Sequence, residues 1–152
     1  LRAEAGKQNE SNVLPILILD WPNPEVDKAD TPSVENIGKG PAFNVQIAPI
    51  AHAGLKVTFP EFGLLQVKDR NAPLMQITQA VESTPGHLIQ RGFMPNTQTL
   101  AEMIQRHEFP TRFTVTIRYE DLTRKVYSTA FTITFDPLRE LFSVTFCGMK
   151  RL

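Results

Sequence analysis

The residues in this sequence equipped for chemistry are few and scattered. Histidines stand at 52, 87 and 107, and the one cysteine is Cys147. No two histidines are spaced i, i+4, and no Cys or Glu accompanies them at metal-ligand spacing, so no zinc-type site is assembled locally. His107 reads as a helix-end residue, where an imidazole suits the helix dipole. His52 and His87 read as loop or strand-edge residues. A hydroxyl nucleophile needs an exposed elbow and a base, and neither Ser83 nor Ser128 lies in a Gly-x-Ser-x-Gly context. Cys147, in a terminal strand, reads as a small packing residue or an inert thiol. Asp20, Asp27 and Asp30 could supply paired carboxylates, yet their spacing fixes no separation, and glycosidase geometry depends on that separation.

Gly38-Lys39-Gly40 invites a phosphate-binding reading. A phosphate cradle needs a helix N-terminus after the glycines, and a dinucleotide fingerprint needs a third glycine where Phe43 stands. Instead Pro41 and the alternating run Phe43-Asn44-Val45-Gln46-Ile47 follow. The segment therefore reads as a hairpin-type turn built by Asn36, Gly38, Gly40 and Pro41. In this reading the glycines supply unusual backbone angles, Pro41 stops ladder pairing, Ala42 permits close approach and Phe43 is the first core anchor. No catalytic, cofactor-binding or metal-binding residue is expected.

Charge narrows the partners. With 16 basic and 16 acidic residues the formal net charge is +0, so no overall field favours nucleic acid or an anionic membrane. Asp20, Glu25, Asp27, Asp30 and Glu35 face only Lys28 between residues 20 and 35. That acidic loop reads as a solvated face, with a metal-dependent binding domain or hydrolase as the alternative. Arg112, Arg118, Arg124 and Lys125 gather around one expected hairpin and form a candidate surface for a protein partner. The ten phenylalanines alternate with polar residues, which points to a core rather than a base-stacking platform.

The elements that must position these residues are mostly strands. Leu14 to Asp20 reads as a buried strand ended by Trp21-Pro22-Asn23-Pro24, and Ser33 to Ile37 as a short one. Phe43, Val45 and Ile47 face one way, and Leu55, Val57 and Phe59 repeat the alternation. Within 61–95, Leu64 to Val67 and Leu74 to Ile77 read as strands, with Asp69 to Pro73 as a turn between them. Leu100, Met103, Ile104 and His107 fall at helical spacing, predicting a helix over about 99–107 with a Thr99 and Glu102 capping box. Phe113 to Tyr119 and Tyr127 to Phe135 alternate on either side of a turn at Asp121 to Arg124. A last strand carries Phe142, Val144 and Phe146 on one face and Ser143, Thr145 and Cys147 on the other. Short strands without long intervening helices point to a mainly β fold, an antiparallel sandwich with one short helix, with a closed barrel as rival.

At 152 residues the chain can bury one core without a disulfide or metal. A hydrophobic content of 41% against 21% charged residues argues against disorder. The longest apolar runs, such as Ile16 to Leu19, are far shorter than the roughly 18 residues of a membrane helix. The lone cysteine leans toward a reducing compartment, such as the cytoplasm. Residues 1–13 are polar and read as a linker or tether, and 14–152 as a single sandwich domain.

The run Glu35-Asn36-Ile37-Gly38-Lys39-Gly40-Pro41-Ala42-Phe43-Asn44-Val45, with Tyr119 to Thr123 and Tyr127 to Phe131, resembles a class of bacterial membrane-anchored proteins of unknown function. In that class N-terminal membrane helices precede an immunoglobulin-like sandwich carrying an Asn-x-Gly-x-Gly-Pro-Ala turn. The resemblance implies a non-catalytic interaction or scaffold domain, membrane-tethered through a segment upstream of Leu1, that binds a protein partner or itself. It implies no cofactor.

Overall fold

The computed structural model describes residues 14–23, 26–27 and 30–152. The expected linker at 1–13, and Glu25 and Lys28 of the acidic loop, lie outside the described residues. In chain order the strands are β1 (Leu17–Asp20), β2 (Ser33–Asn36), β3 (Ala42–Ile47), β4 (Ile50–His52), β5 (Leu55–Thr58), β6 (Phe62–Leu65), β7 (Arg70–Asn71), β8 (Gln76–Thr84) and β9 (His87–Phe93). Helix α1 (Thr97–Gln105) then precedes β10 (Arg112–Glu120), β11 (Val126–Asp136) and β12 (Leu141–Arg151).

These strands form three antiparallel sheets, ordered β1-β2-β7, β12-β11-β10-β3-β6 and β4-β5-β8-β9. Each is open at both ends, so among the described residues no sheet closes into a barrel. Among the described residues the fold is a mainly β antiparallel sandwich with one helix. A single apolar core joins the layers, with Val34 from the first sheet, Val45, Val115, Ile117 and Ile133 from the second, and Val57 and Ile77 from the third. Leu100, Met103 and Ile104 of α1 seal it.

The hairpin of β10 and β11 follows its sequence pattern closely. Phe113, Val115, Ile117 and Tyr119 are buried, and Val115 stands opposite Phe131 in the ladder. The helix is capped differently from expectation. Asn96, not Thr99, is the N-cap, its Oδ1 accepting from the Thr99 N–H at 2.8 Å. At the far end His107 adopts φ 61, its N–H donating to the Ile104 carbonyl while the Glu108 N–H reaches the Met103 carbonyl. This is a Schellman closure with histidine where glycine usually stands, so His107 lies outside the helix rather than on its apolar face.

Several other expectations are corrected. β2 and β3 pair in different sheets, so the glycine segment between them is a crossover, not a hairpin turn. β1 is half-exposed rather than fully buried: Leu17 and Leu19 face inward, but Ile16 and Ile18 are exposed. Asn44 takes φ 50 and the pairing with β10 shifts register beside it. This bulge breaks the parity of β3, so that Ala42, Val45 and Ile47 enter the core and Phe43 is only half-buried. The expected turn at 69–73 contains β7, and the region beyond it holds the long β8–β9 hairpin.

Candidate functional site

The residues with chemical potential are dispersed. His52 ends β4 against the Phe109 ring at 5.9 Å, His87 opens β9, and His107 closes the helix. Cys147 is exposed, with Sγ 3.0 Å from the Thr132 hydroxyl. In the acidic loop, Arg70 draws on both Asp20 at 3.7 Å and Glu35 at 3.1 Å, while the Asp27 carboxylate accepts the Asn23 N–H at 2.7 Å. Among the described residues no three His, Cys, Asp or Glu side chains converge at metal-binding distance.

Asn36, by contrast, is a complete polar hub. It is fully buried; its Oδ1 accepts from the N–H groups of Gly38 at 3.0 Å and Ile16 at 3.3 Å. Its Nδ2 donates to the carbonyls of Gly40 at 2.9 Å and Leu65 at 3.1 Å. All the hydrogen-bonding capacity of the amide is used, as burial demands. Gly38 has an ordinary backbone conformation, and its glycine identity answers to space instead. A Cβ there would fall 2.4 Å from both the Ile16 nitrogen and the Leu14 oxygen. The role of Gly38 is thus close approach of two backbones, not an unusual angle.

The four basic residues do not form one patch. Arg112 pairs with Thr134 at one end of the β10–β11 ladder, while Arg118 pairs with Ser128 nearer the turn that holds Arg124 and Lys125. Arg112 and Arg118 are six positions apart along β10, about 20 Å of extended chain. That turn is organised by Asp121, whose Oδ1 accepts from the Thr123 N–H at 2.8 Å, the Thr123 hydroxyl at 2.7 Å and the Lys125 N–H at 2.9 Å. The Tyr127 hydroxyl reaches Oδ2 at 3.2 Å. Burial alone would raise the Asp121 carboxyl, but these donors outweigh it and hold its pKa below the usual carboxylate value. Burial raises the phenol of Tyr119, which meets the Thr129 hydroxyl at 2.9 Å.

What the structure offers a partner lies at its sheet edges. β4 and β7 are too short to template much, and β1 and β6 have only four residues each. The two long edges are β9 with seven residues and β12 with eleven. β12 is guarded. Asn23 occupies its rim at Phe142, a bulge interrupts it between Phe146 and Gly148, and Lys150 and Arg151 end it.

β9 has no proline and no bulge of its own, and among the described residues it pairs only with β8. The two strands meet at Pro85-Gly86, where Gly86 has φ 83, as the third residue of a type II turn requires. Near its root the hairpin is anchored by buried Ile77, which stands opposite Phe93. Farther out, Gln79, Ala80, Thr84, Leu88, Ile89 and Arg91 are all exposed, so the hairpin projects as an arm. Leu88 is 74% exposed on one face of β9, and Ile89 is 48% exposed on the other. At the root lies an open groove of about 590 Å³, lined by Phe59, Pro60, Phe62, Pro73, Leu74 and Met94. Sequence reasoning missed this arm. Its available signals were the Pro-Gly dipeptide and the apolar pair Leu88-Ile89 beyond it.

Fold and edge together define a mainly β domain that presents a two-stranded arm with an open, apolar rim. The chain belongs to the family described as domain of unknown function DUF8453, whose pattern matches residues 23–139 and so includes the whole arm. No curated protein and no solved structure matches the chain. Among the described residues no helix is long and apolar enough to cross a membrane.

Proposed function

We propose that this domain is a non-catalytic interaction module that takes an extended segment of a protein partner onto the β9 edge. The observation that carries this reading is the rim of β9, on which no described strand pairs, with Leu88 and Ile89 exposed on opposite faces. An added strand gains main-chain hydrogen bonds along such an edge and seats alternate side chains on its two faces. The contrast with β12 supports the choice, because one long edge is protected and the other is not. Following the resemblance, the module is held at a membrane by a segment outside residues 1–152, to which the polar residues 1–13 are the linker.

The test is photo-crosslinking from position 87 of the full-length protein in its native membranes, with hydrogen exchange on the recovered complex. A segment crosslinked at position 87 that slows exchange across 87–93, and is lost in Leu88→Lys/Ile89→Lys but kept in the control Leu138→Lys, supports the reading. A partner that leaves exchange in 87–93 unchanged, or that survives the double substitution, overturns it.

A further inference from the structure

The guard on β12 has a specific form. The Phe142 N–H donates to Asn23 Oδ1 at 2.6 Å, and Asn23 Nδ2 donates to the Phe142 carbonyl at 3.2 Å. In an antiparallel ladder both main-chain groups of a residue point to the same side, and neighbours alternate. Phe142 therefore turns its groups away from β11, and so do Val144 and Phe146 up to the bulge. The Asn23 amide occupies the position that a neighbouring strand would take.

The strand behind this guard is self-complementary. Phe142-Ser143-Val144-Thr145-Phe146 reads the same in both directions as aromatic, hydroxyl, apolar, hydroxyl, aromatic. About a two-fold axis through Val144, Phe142 of one copy stands opposite Phe146 of the other, Ser143 opposite Thr145, and Val144 opposite itself. All three outward-facing residues then form hydrogen-bonded pairs, and aromatic and hydroxyl pairs are favourable across strands. Phe146, left 60% exposed in the single chain, gains a ring neighbour. The ends also match: Lys150 and Arg151 come beside the turn of the other copy, which carries Asp136 and Glu140. Arg139 in that turn pairs with Asp136 at 3.9 Å, leaving Glu140 as the main acidic contact.

We infer that Asn23 is a lock on β12, and that its release lets β12 pair antiparallel with β12 of a second copy, joining two five-stranded sheets. The Asn23 segment is held by Trp21, which packs against Phe113 and Phe142 at 5.4 and 6.0 Å. Among the described residues the Trp21 indole N–H is buried without a partner, so lifting the segment relieves an unmet donor.

Light scattering on the full chain over a concentration series tests this. The native chain is expected to stay at monomer mass, Asn23→Ala to double its mass, and Asn23→Ala/Phe146→Lys to return to monomer. Should Asn23→Ala fail to fold by circular dichroism, Asn23→Gly, which also removes both contacts, is expected to double its mass as well. A native chain that dimerises as readily as the variant overturns the lock. A folded variant that stays monomeric, or a dimer indifferent to Phe146→Lys, overturns the pairing.

Discussion

The side chain of Asn36 donates to the main-chain carbonyl of Leu65 at 3.1 Å, tying β2 in one sheet to β6 in another. Since the same amide also receives two backbone N–H groups, one buried residue fixes how two sheets meet. Asn36→Ala strands several buried polar groups at once and is expected to cost about 3 kcal/mol or more. Asn36→Asp, which sets an acceptor against the Gly40 and Leu65 carbonyls, is expected to cost no less. Urea unfolding of the three proteins checks both, and a loss under about 1 kcal/mol for either substitution contradicts the hub.

Gly38 and Gly63 form an internal control for the close approach. A Cβ at Gly38 meets main-chain atoms of Leu14 and Ile16, which cannot rotate away, whereas a Cβ at Gly63 meets nothing within 4 Å. Gly38→Ala is expected to destabilise by about 2 kcal/mol or more, and Gly63→Ala by less than about 0.5 kcal/mol. Equal melting temperatures for the two variants count against the steric role.

The turn at Asp121 sets an acid limit. Because the folded pKa lies below the unfolded value of about 3.9, the carboxylate contributes stability that is present above that value and lost as pH falls through the folded one. Denaturation from about pH 6 to about pH 2 should show Asp121→Asn less stable at the upper end, with the gap narrowing below about pH 4. A constant gap across that range shows that charge is not the cause.

Ala53 is held at φ 46 beside Gly54 at φ 83, the double left-handed conformation of a two-residue hairpin loop between β4 and β5. Asparagine adopts that conformation at lower cost than alanine. Ala53→Asn is expected to stabilise by about 0.5 kcal/mol, read as a raised urea midpoint, because position 53 is exposed and nothing else changes there.

Where local pattern and global packing agree, the sequence was readable. Alternation from Phe113 to Tyr119 and from Thr129 to Phe135 matches burial almost residue for residue, and the apolar stripe Leu100, Met103, Ile104 lies on the core. What failed depended on partners distant in sequence. Nothing near Gly38 announces that the backbone at Leu14 and Ile16 will pass against it. Phe43 was misplaced because Asn44 inserts a bulge, a register decision made jointly with Glu120 on β10, to which the Asn44 amide donates at 2.8 Å. The β8–β9 arm escaped for the opposite reason: Gln79, Ala80, Thr84, Leu88, Ile89 and Arg91 are exposed on both of its faces, so these positions carry no strong periodic signature. The edge is the best candidate site, and it is inherently a property of strand order, which alternation does not encode.

The arm is seated at its root by Ile77 opposite Phe93, and the outer residues Thr84, Leu88 and Ile89 are exposed. Lengthening or trimming both strands by whole pairs of residues preserves which side chains face each way, since the strand period is two. The reach of the domain is therefore free to vary while its interior stays the same, and a change of a single residue in one strand needs a bulge, as the ladder already has between Glu82 and Thr84.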